Sequence, residues 1–79
     1  MAISWTAAVE AAVERHVAAK GDVVFTRQEL IDRELDQILS QTGSVGLTPA
    51  MTLSRELQEM RDRGRVEFVD ERGTYRFIK

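Results

Sequence analysis

The sequence predicts a small α+β domain, and three observations carry that prediction. Thr48-Pro49 and Gly64 bracket a helix-length segment, with Thr suited to the N-cap, Pro to the first helical position and Gly to a left-handed stop. Inside the bracket Ala50, Leu53, Leu57 and Met60 recur at spacings of three, four and three, which gathers them on one side of a helix. Beyond Gly64, residues 65–69 and 74–78 alternate in polarity and are joined by Asp70-Glu71-Arg72-Gly73, the pattern of a hairpin.

The remaining elements follow from the N-terminus. Residues 4–19 form a predicted first helix with Ser4 as N-cap. Trp5, Val9, Ala12, Val13, His16 and Val17 share its apolar stripe, while Glu10 and Glu14 point the other way. Lys20-Gly21-Asp22 supplies a glycine stop, and residues 23–25, Val-Val-Phe, read as one short strand. Thr26-Arg27-Gln28-Glu29 fits a capping box, in which the Thr26 and Glu29 side chains satisfy free amides at a helix start. That second helix is expected to reach about Leu39, with Leu30, Ile31, Leu35, Ile38 and Leu39 as a broad apolar side. Residues 41–47 then form a loop holding Gly43 and Gly46, longer than the ~3–4-residue turn of a tight helix-turn-helix and open to ligand contact. In the hairpin, Val66, Phe68, Tyr75 and Phe77 are expected to face inward, Glu67 to oppose Arg76 outside, and Gly73 to take positive φ. The order helix-strand-helix-helix-strand-strand, in one domain over residues 1–79, is that of a winged helix-turn-helix with a small antiparallel sheet.

Composition narrows the classes. With 43% hydrophobic and 30% charged residues, the chain matches a folded globular protein, and no apolar run approaches the ~20 residues of a membrane span. The first residues lack the charged and apolar regions of a signal peptide, and the absence of cysteine removes disulfides and thiolate metal sites, so a cytoplasmic setting is expected. The net charge of −2 speaks mildly against nucleic acid, but its distribution does not. Residues 1–51 hold four Lys/Arg against seven Asp/Glu, whereas residues 52–79 hold seven against six. Nine of the eleven basic residues are Arg, whose forked guanidinium suits phosphate and guanine, although a GC-rich or salt-adapted source gives the same bias.

The run Leu53-Ser54-Arg55-Glu56-Leu57-Gln58-Glu59-Met60-Arg61-Asp62-Arg63-Gly64-Arg65-Val66-Glu67-Phe68, followed by Arg72-Gly73-Thr74-Tyr75-Arg76-Phe77, resembles the C-terminal winged-helix domain of methyladenine-dependent restriction endonucleases of the Dam-replacing, DpnI type. The family's pattern is an Arg-x-x-Leu-Gln-x-Leu-Arg-Asp-x-Gly helix, then a Glu-Phe strand, then Arg-Gly-x-Tyr-Arg in the wing. Met60 stands for the usual Leu, and the hairpin is longer by Asp70-Glu71. The close match covers about the last third of the chain. The resemblance implies a domain that binds double-stranded DNA and senses N6-methyladenine in a GATC-type site. The family's nuclease chemistry lies in a separate domain, none of which this sequence contains.

On that basis Met51, Thr52, Ser54, Arg55 and Gln58 are expected to face base edges from the third helix. Arg55 could donate two hydrogen bonds to guanine and Gln58 could pair with adenine. The alternative for Arg55 is an ion pair with Glu59 on a solvated face. Pro49, Ala50 and Met51, with Val45 or Leu47, could supply an apolar surface for adenine methyl groups, and Trp5 could join them if it is not core. Arg72, and secondarily Arg76, are the expected hairpin contacts, opposed by Asp70 and Glu71. Thr26, Arg27 and Gln28 could offer amides to a phosphate, but capping is their plainer role. Catalysis is not expected: His16 is the only histidine, Glu29, Asp32 and Asp36 read as a solvated acidic face, and no glycine-rich phosphate loop is present. No cofactor is implied. The alternatives to a methyl reader are a transcription-regulator winged helix without methyl preference and a protein-interaction winged helix; a monomer is expected.

Overall fold

The computed structural model describes residues 3–43, 48–70 and 72–78. Three helices, α1 (Trp5–Lys20), α2 (Arg27–Thr42) and α3 (Pro49–Asp62), combine with three short strands, β1 (Val24–Thr26), β2 (Val66–Phe68) and β3 (Thr74–Phe77). The strands form one antiparallel sheet in the order β1-β3-β2. The chain is therefore α+β, with its elements in the expected order.

Local chemistry sets most of the helix ends. Ser4 Oγ accepts from the Ala7 amide at 3.1 Å, and Gly21, at φ 73°, returns its amide to Val17 O. The third helix ends in a Schellman arrangement: Gly64 takes φ 75°, its amide bonds Arg61 O at 2.9 Å, and the Arg65 amide bonds Met60 O at 2.8 Å. Three end details differ from expectation. Thr48 occupies the N-cap of α3 without a side-chain cap bond, so Pro49 alone fixes that start. α2 runs past Leu39 to Thr42, because Gly43 rather than the preceding polar residues provides the left-handed stop. Its capping box is half formed: Thr26 Oγ1 accepts from the Glu29 amide at 3.0 Å, but the Glu29 carboxylate accepts instead from His16 Nε2 and Lys20 Nζ, each at 2.9 Å.

The core lies between the helices and one face of the sheet. Val9 and Val13 of α1, Leu30 and Ile38 of α2, Leu53 and Leu57 of α3 and Phe25 of β1 are fully buried. Burying one such side chain is worth ~1.5–3 kcal/mol, which is how three short strands and three helices hold together in a small chain. Trp5 packs half-buried against this core, as does Ile31, whereas Leu35 and Leu39 are only half covered, so the apolar side of α2 is narrower than its sequence suggests. Glu10 and Glu14 do not simply face solvent. They reach across to the junction of α3 and β2, where Arg63 Nη2 donates to Glu10 at 3.2 Å and Arg65 Nη2 to Glu14 at 3.4 Å.

Register in the hairpin follows the alternation. Val66 opposes Phe77, Glu67 opposes Arg76 and Phe68 opposes Tyr75. Val66, Tyr75 and Phe77 are buried, and Glu67 and Arg76 pair at 3.0 Å on the outer face. Phe68 departs from expectation. It shares the inner face with Tyr75 yet stays 40% exposed, because it borders an open groove between α3 and the hairpin, with the Arg61 guanidinium 4.6 Å above its ring. No helix among the described residues is long and apolar enough to cross a membrane.

Candidate nucleic-acid interface

Burying Leu53, Glu56, Leu57 and Met60 turns the opposite side of α3 to solvent. Even the acid in that set is satisfied, since Glu56 Oε1 accepts the Thr6 hydroxyl at 2.7 Å. On the outer side Met51 is 70% exposed, and Arg55 and Gln58 are exposed beyond it. These three form a row along the helix at spacings of four and three. Arg55 makes no hydrogen bond or ion pair with any described residue, so the pair with Glu59 that a solvated face would favour is not formed. A long cation that no described residue holds is available to a ligand.

The other expected site residues separate into those the fold brings to this row and those it does not. Pro49, Ala50 and Thr52 are half-buried in the first turn, and Thr52 Oγ1 lies 3.5 Å from Thr48 O. Ser54 is fully engaged: its hydroxyl donates to Ala50 O at 3.1 Å and accepts from Arg27 Nη1 at 3.3 Å. Arg72 faces α3 across a groove, but Arg76 does not, because the pleat puts it on the far face of the sheet in its pair with Glu67. Val45 and Leu47 lie outside the described residues. Trp5 belongs to the core margin rather than to the α3 surface.

Between α3 and the β2–β3 hairpin runs an open groove of about 630 Å³. Arg27, Arg61 and Arg72 line it, with Ser54 and Gln58 on the α3 wall and Phe68 and Tyr75 on the floor. The groove exists because the start of α2 is fastened to the hairpin turn. The Arg27 amide donates to Gly73 O at 2.9 Å, and Gly73 takes the positive φ of 91° that the turn requires. The floor is aromatic: Phe68 meets Tyr75 edge-on at 5.1 Å, and Tyr75 stacks on Phe25 at 5.6 Å. Burial raises the Tyr75 phenol above its ordinary pKa, so it stays neutral. Asp70 is the one acid on the wall among the described residues, and the turn occupies it. Its Oδ1 accepts from the Arg72 amide at 2.7 Å and the Thr74 amide at 3.3 Å, and the Arg72 bond foremost holds its carboxyl below the usual range.

Arg27, Arg61, Phe68 and Tyr75 are groove residues that sequence patterning assigned to capping, helix termination and core. One signal was present. Ser54, Gln58 and Arg61 stand at i, i+4 and i+7, a single line on α3, so Arg61 continues the wall that Gln58 begins.

A second concavity, of about 480 Å³, lies on the other side of α2 among His16, Lys20, Glu29 and Arg33. Hydrogen bonds from Lys20 and then His16 pull Glu29 down to a pKa of about 2. An ionised carboxylate only accepts, so the hydrogen of this contact lies on His16 Nε2. Among the described residues no three His, Cys, Asp or Glu side chains converge as a set of metal ligands. No family model, curated protein or solved structure matches this chain.

Proposed function

We propose that the chain is a winged-helix module that binds double-stranded DNA, with α3 in the major groove and the β2–β3 hairpin as the wing. The observation that carries this reading is the row Met51, Arg55 and Gln58, which is solvent-facing and, at Arg55, unpaired among the described residues. Arg and Gln are the side chains whose paired donors and acceptors match guanine and adenine edges, and a good bidentate contact is worth ~1–3 kcal/mol of discrimination. The net charge of −2 opposes this reading mildly, and Arg27, Arg61 and Arg72 in the adjoining groove supply the local basic surface.

The finer proposal is that the module reads N6-methyladenine in a GATC-type site and serves as the non-catalytic, monomeric specificity domain of a modification-dependent restriction endonuclease, the nuclease being a separate domain. The resemblance over residues 53–77 supports it. So does an exposed apolar side chain, Met51, standing beside Pro49 and Ala50 at the leading end of the row, where a methyl on the adenine amino group would meet it. The test is a titration with matched methylated and unmethylated GATC duplexes at moderate salt. Tighter binding of the methylated duplex is expected. Equal affinity leaves a winged-helix regulator without methyl preference, and no binding even at low salt leaves the protein-interaction alternative.

A further inference from the structure

Resting on the DNA-binding reading, we infer that the groove between α3 and the hairpin is the seat of a single backbone phosphodiester, with Arg27 and Arg72 as its ligands. Among the described residues the groove holds three guanidinium groups against one carboxylate, and that carboxylate is tied into the hairpin turn by two backbone amides. The three arginines are not equivalent. Arg61 is already placed, over the Phe68 ring at 4.6 Å and beside Asp62 Oδ1 at 3.1 Å. Arg72 has an exposed side chain with no partner among the described residues. Arg27 is half-buried, and its guanidinium makes one neutral bond, to Ser54 Oγ, at the long distance of 3.3 Å. A guanidinium has five N–H donors, so Arg27 keeps most of them for a ligand while its backbone is fixed to Gly73 O.

The chemistry favours a phosphodiester. Planar guanidinium forks match tetrahedral oxyanions, and a charge held in place by a neutral hydroxyl loses little when an anion arrives. The seat also fits the position of the row. Ser54 and Gln58 line the groove's wall on α3, so a phosphate there would lie immediately beside the strand whose bases Gln58 and Arg55 address. The hairpin then acts by gripping the backbone, a contact that positions the helix and carries no sequence information. The phosphate contact expected of the Arg27 amide thus passes to its guanidinium, because Gly73 O occupies the amide.

The test measures duplex affinity against salt for the intact chain and for Arg27→Gln, Arg72→Gln, Arg27→Lys and Arg33→Gln. Arg27→Gln keeps a donor for Ser54 but removes the charge, and Arg33 is a control on the opposite side of α2. Loss of one phosphate contact reduces the slope of log K against log salt by about 0.9. The expected result is that reduction in Arg27→Gln and in Arg72→Gln, equal for methylated and unmethylated duplexes, with Arg27→Lys and Arg33→Gln keeping the full slope. Unchanged slopes in both Gln variants, while the unaltered chain binds duplex, would overturn the seat and leave the DNA reading intact. A loss confined to one base sequence would also overturn it, by making these residues base readers. If the unaltered chain binds no duplex, a titration with inorganic phosphate followed at the arginine Nε–H signals decides separately: movement at Arg27 and Arg72 keeps the groove as an oxyanion site, and none removes it.

Discussion

Arg27 Nη1 donates to Ser54 Oγ across 3.3 Å, joining the first residue of α2 to the outer side of α3. Ser54 Oγ in turn donates to Ala50 O, one turn back in its own helix. Both roles of the hydroxyl are filled inside the protein, which separates Ser54 from its neighbours Arg55 and Gln58 as a reader of bases.

Ser54→Ala should therefore leave base discrimination unchanged. It removes two part-buried hydrogen bonds, from Arg27 and to Ala50 O, but places a better helix former in α3, and these opposing effects should keep the stability change within about 1 kcal/mol. Urea unfolding checks the stability, and titration against duplexes varied at single base pairs checks the reading. A loss at one base-pair position alone would return Ser54 to the reading set.

Arg55→Ala and Gln58→Ala should behave differently. Each removes a side chain that no described neighbour holds, so folding stability should be nearly unaffected, while specific affinity falls by ~1–3 kcal/mol with relaxed preference at one base-pair position. Competition titration with single-substitution duplexes measures both quantities. Unaltered affinity in both variants would mean that α3 is not the reading element.

The contrast between Ser54 and Arg55 marks what a sequence can and cannot disclose. Helix ends at Ser4, Pro49 and Gly64 were legible because their chemistry acts within one turn. The Glu67–Arg76 pair was legible because a hairpin with period-two alternation leaves one register that buries Val66, Tyr75 and Phe77. What was not legible depends on separations that no local pattern spans. Glu29 looked like half of a capping box until α1 brought His16 and Lys20 to its carboxylate. Glu10 and Glu14 looked solvated until the end of α3 delivered Arg63 and Arg65 to them. Phe68 has the phase of a core residue, but the fold places it against an open groove, where only the Arg61 guanidinium lies over its ring. The groove likewise draws on residues far apart in the chain, from Arg27 to Tyr75, which is why its arginines could be counted in the sequence but not assembled.

Met51→Ala tests the methyl reading at its most exposed apolar side chain. With 70% of its surface in solvent, Met51 contributes little to folding, so its truncation should leave the unfolding midpoint in place. Binding to unmethylated duplex should change little, while the preference for methylated over unmethylated duplex shrinks, because a methyl group loses its apolar neighbour. Paired titrations of the two duplexes give the ratio directly. A preference that survives intact would move methyl sensing away from the leading end of α3.

Glu29 supplies the pH dependence. Its carboxyl falls from 4.5 to about 2 in the folded chain, first through the Lys20 hydrogen bond and then through that of His16. A folded-state value below the unfolded one means that the unfolded chain binds the proton more readily. The stabilisation is thus complete above the unfolded value and drains away as pH falls toward about 2. The side chain is 33% exposed, so solvent screening cuts the full linkage energy to about 1–2 kcal/mol. Glu29→Gln should be less stable than the unaltered chain by that amount near neutral pH. The gap should close progressively below the unfolded value, in denaturant midpoints taken across the acid range. Because this cluster lies on the far side of α2 from the groove, the same substitution should leave the salt slope of DNA binding as it was. A gap that persisted undiminished in acid would assign the loss to Glu29's packing rather than to its charge.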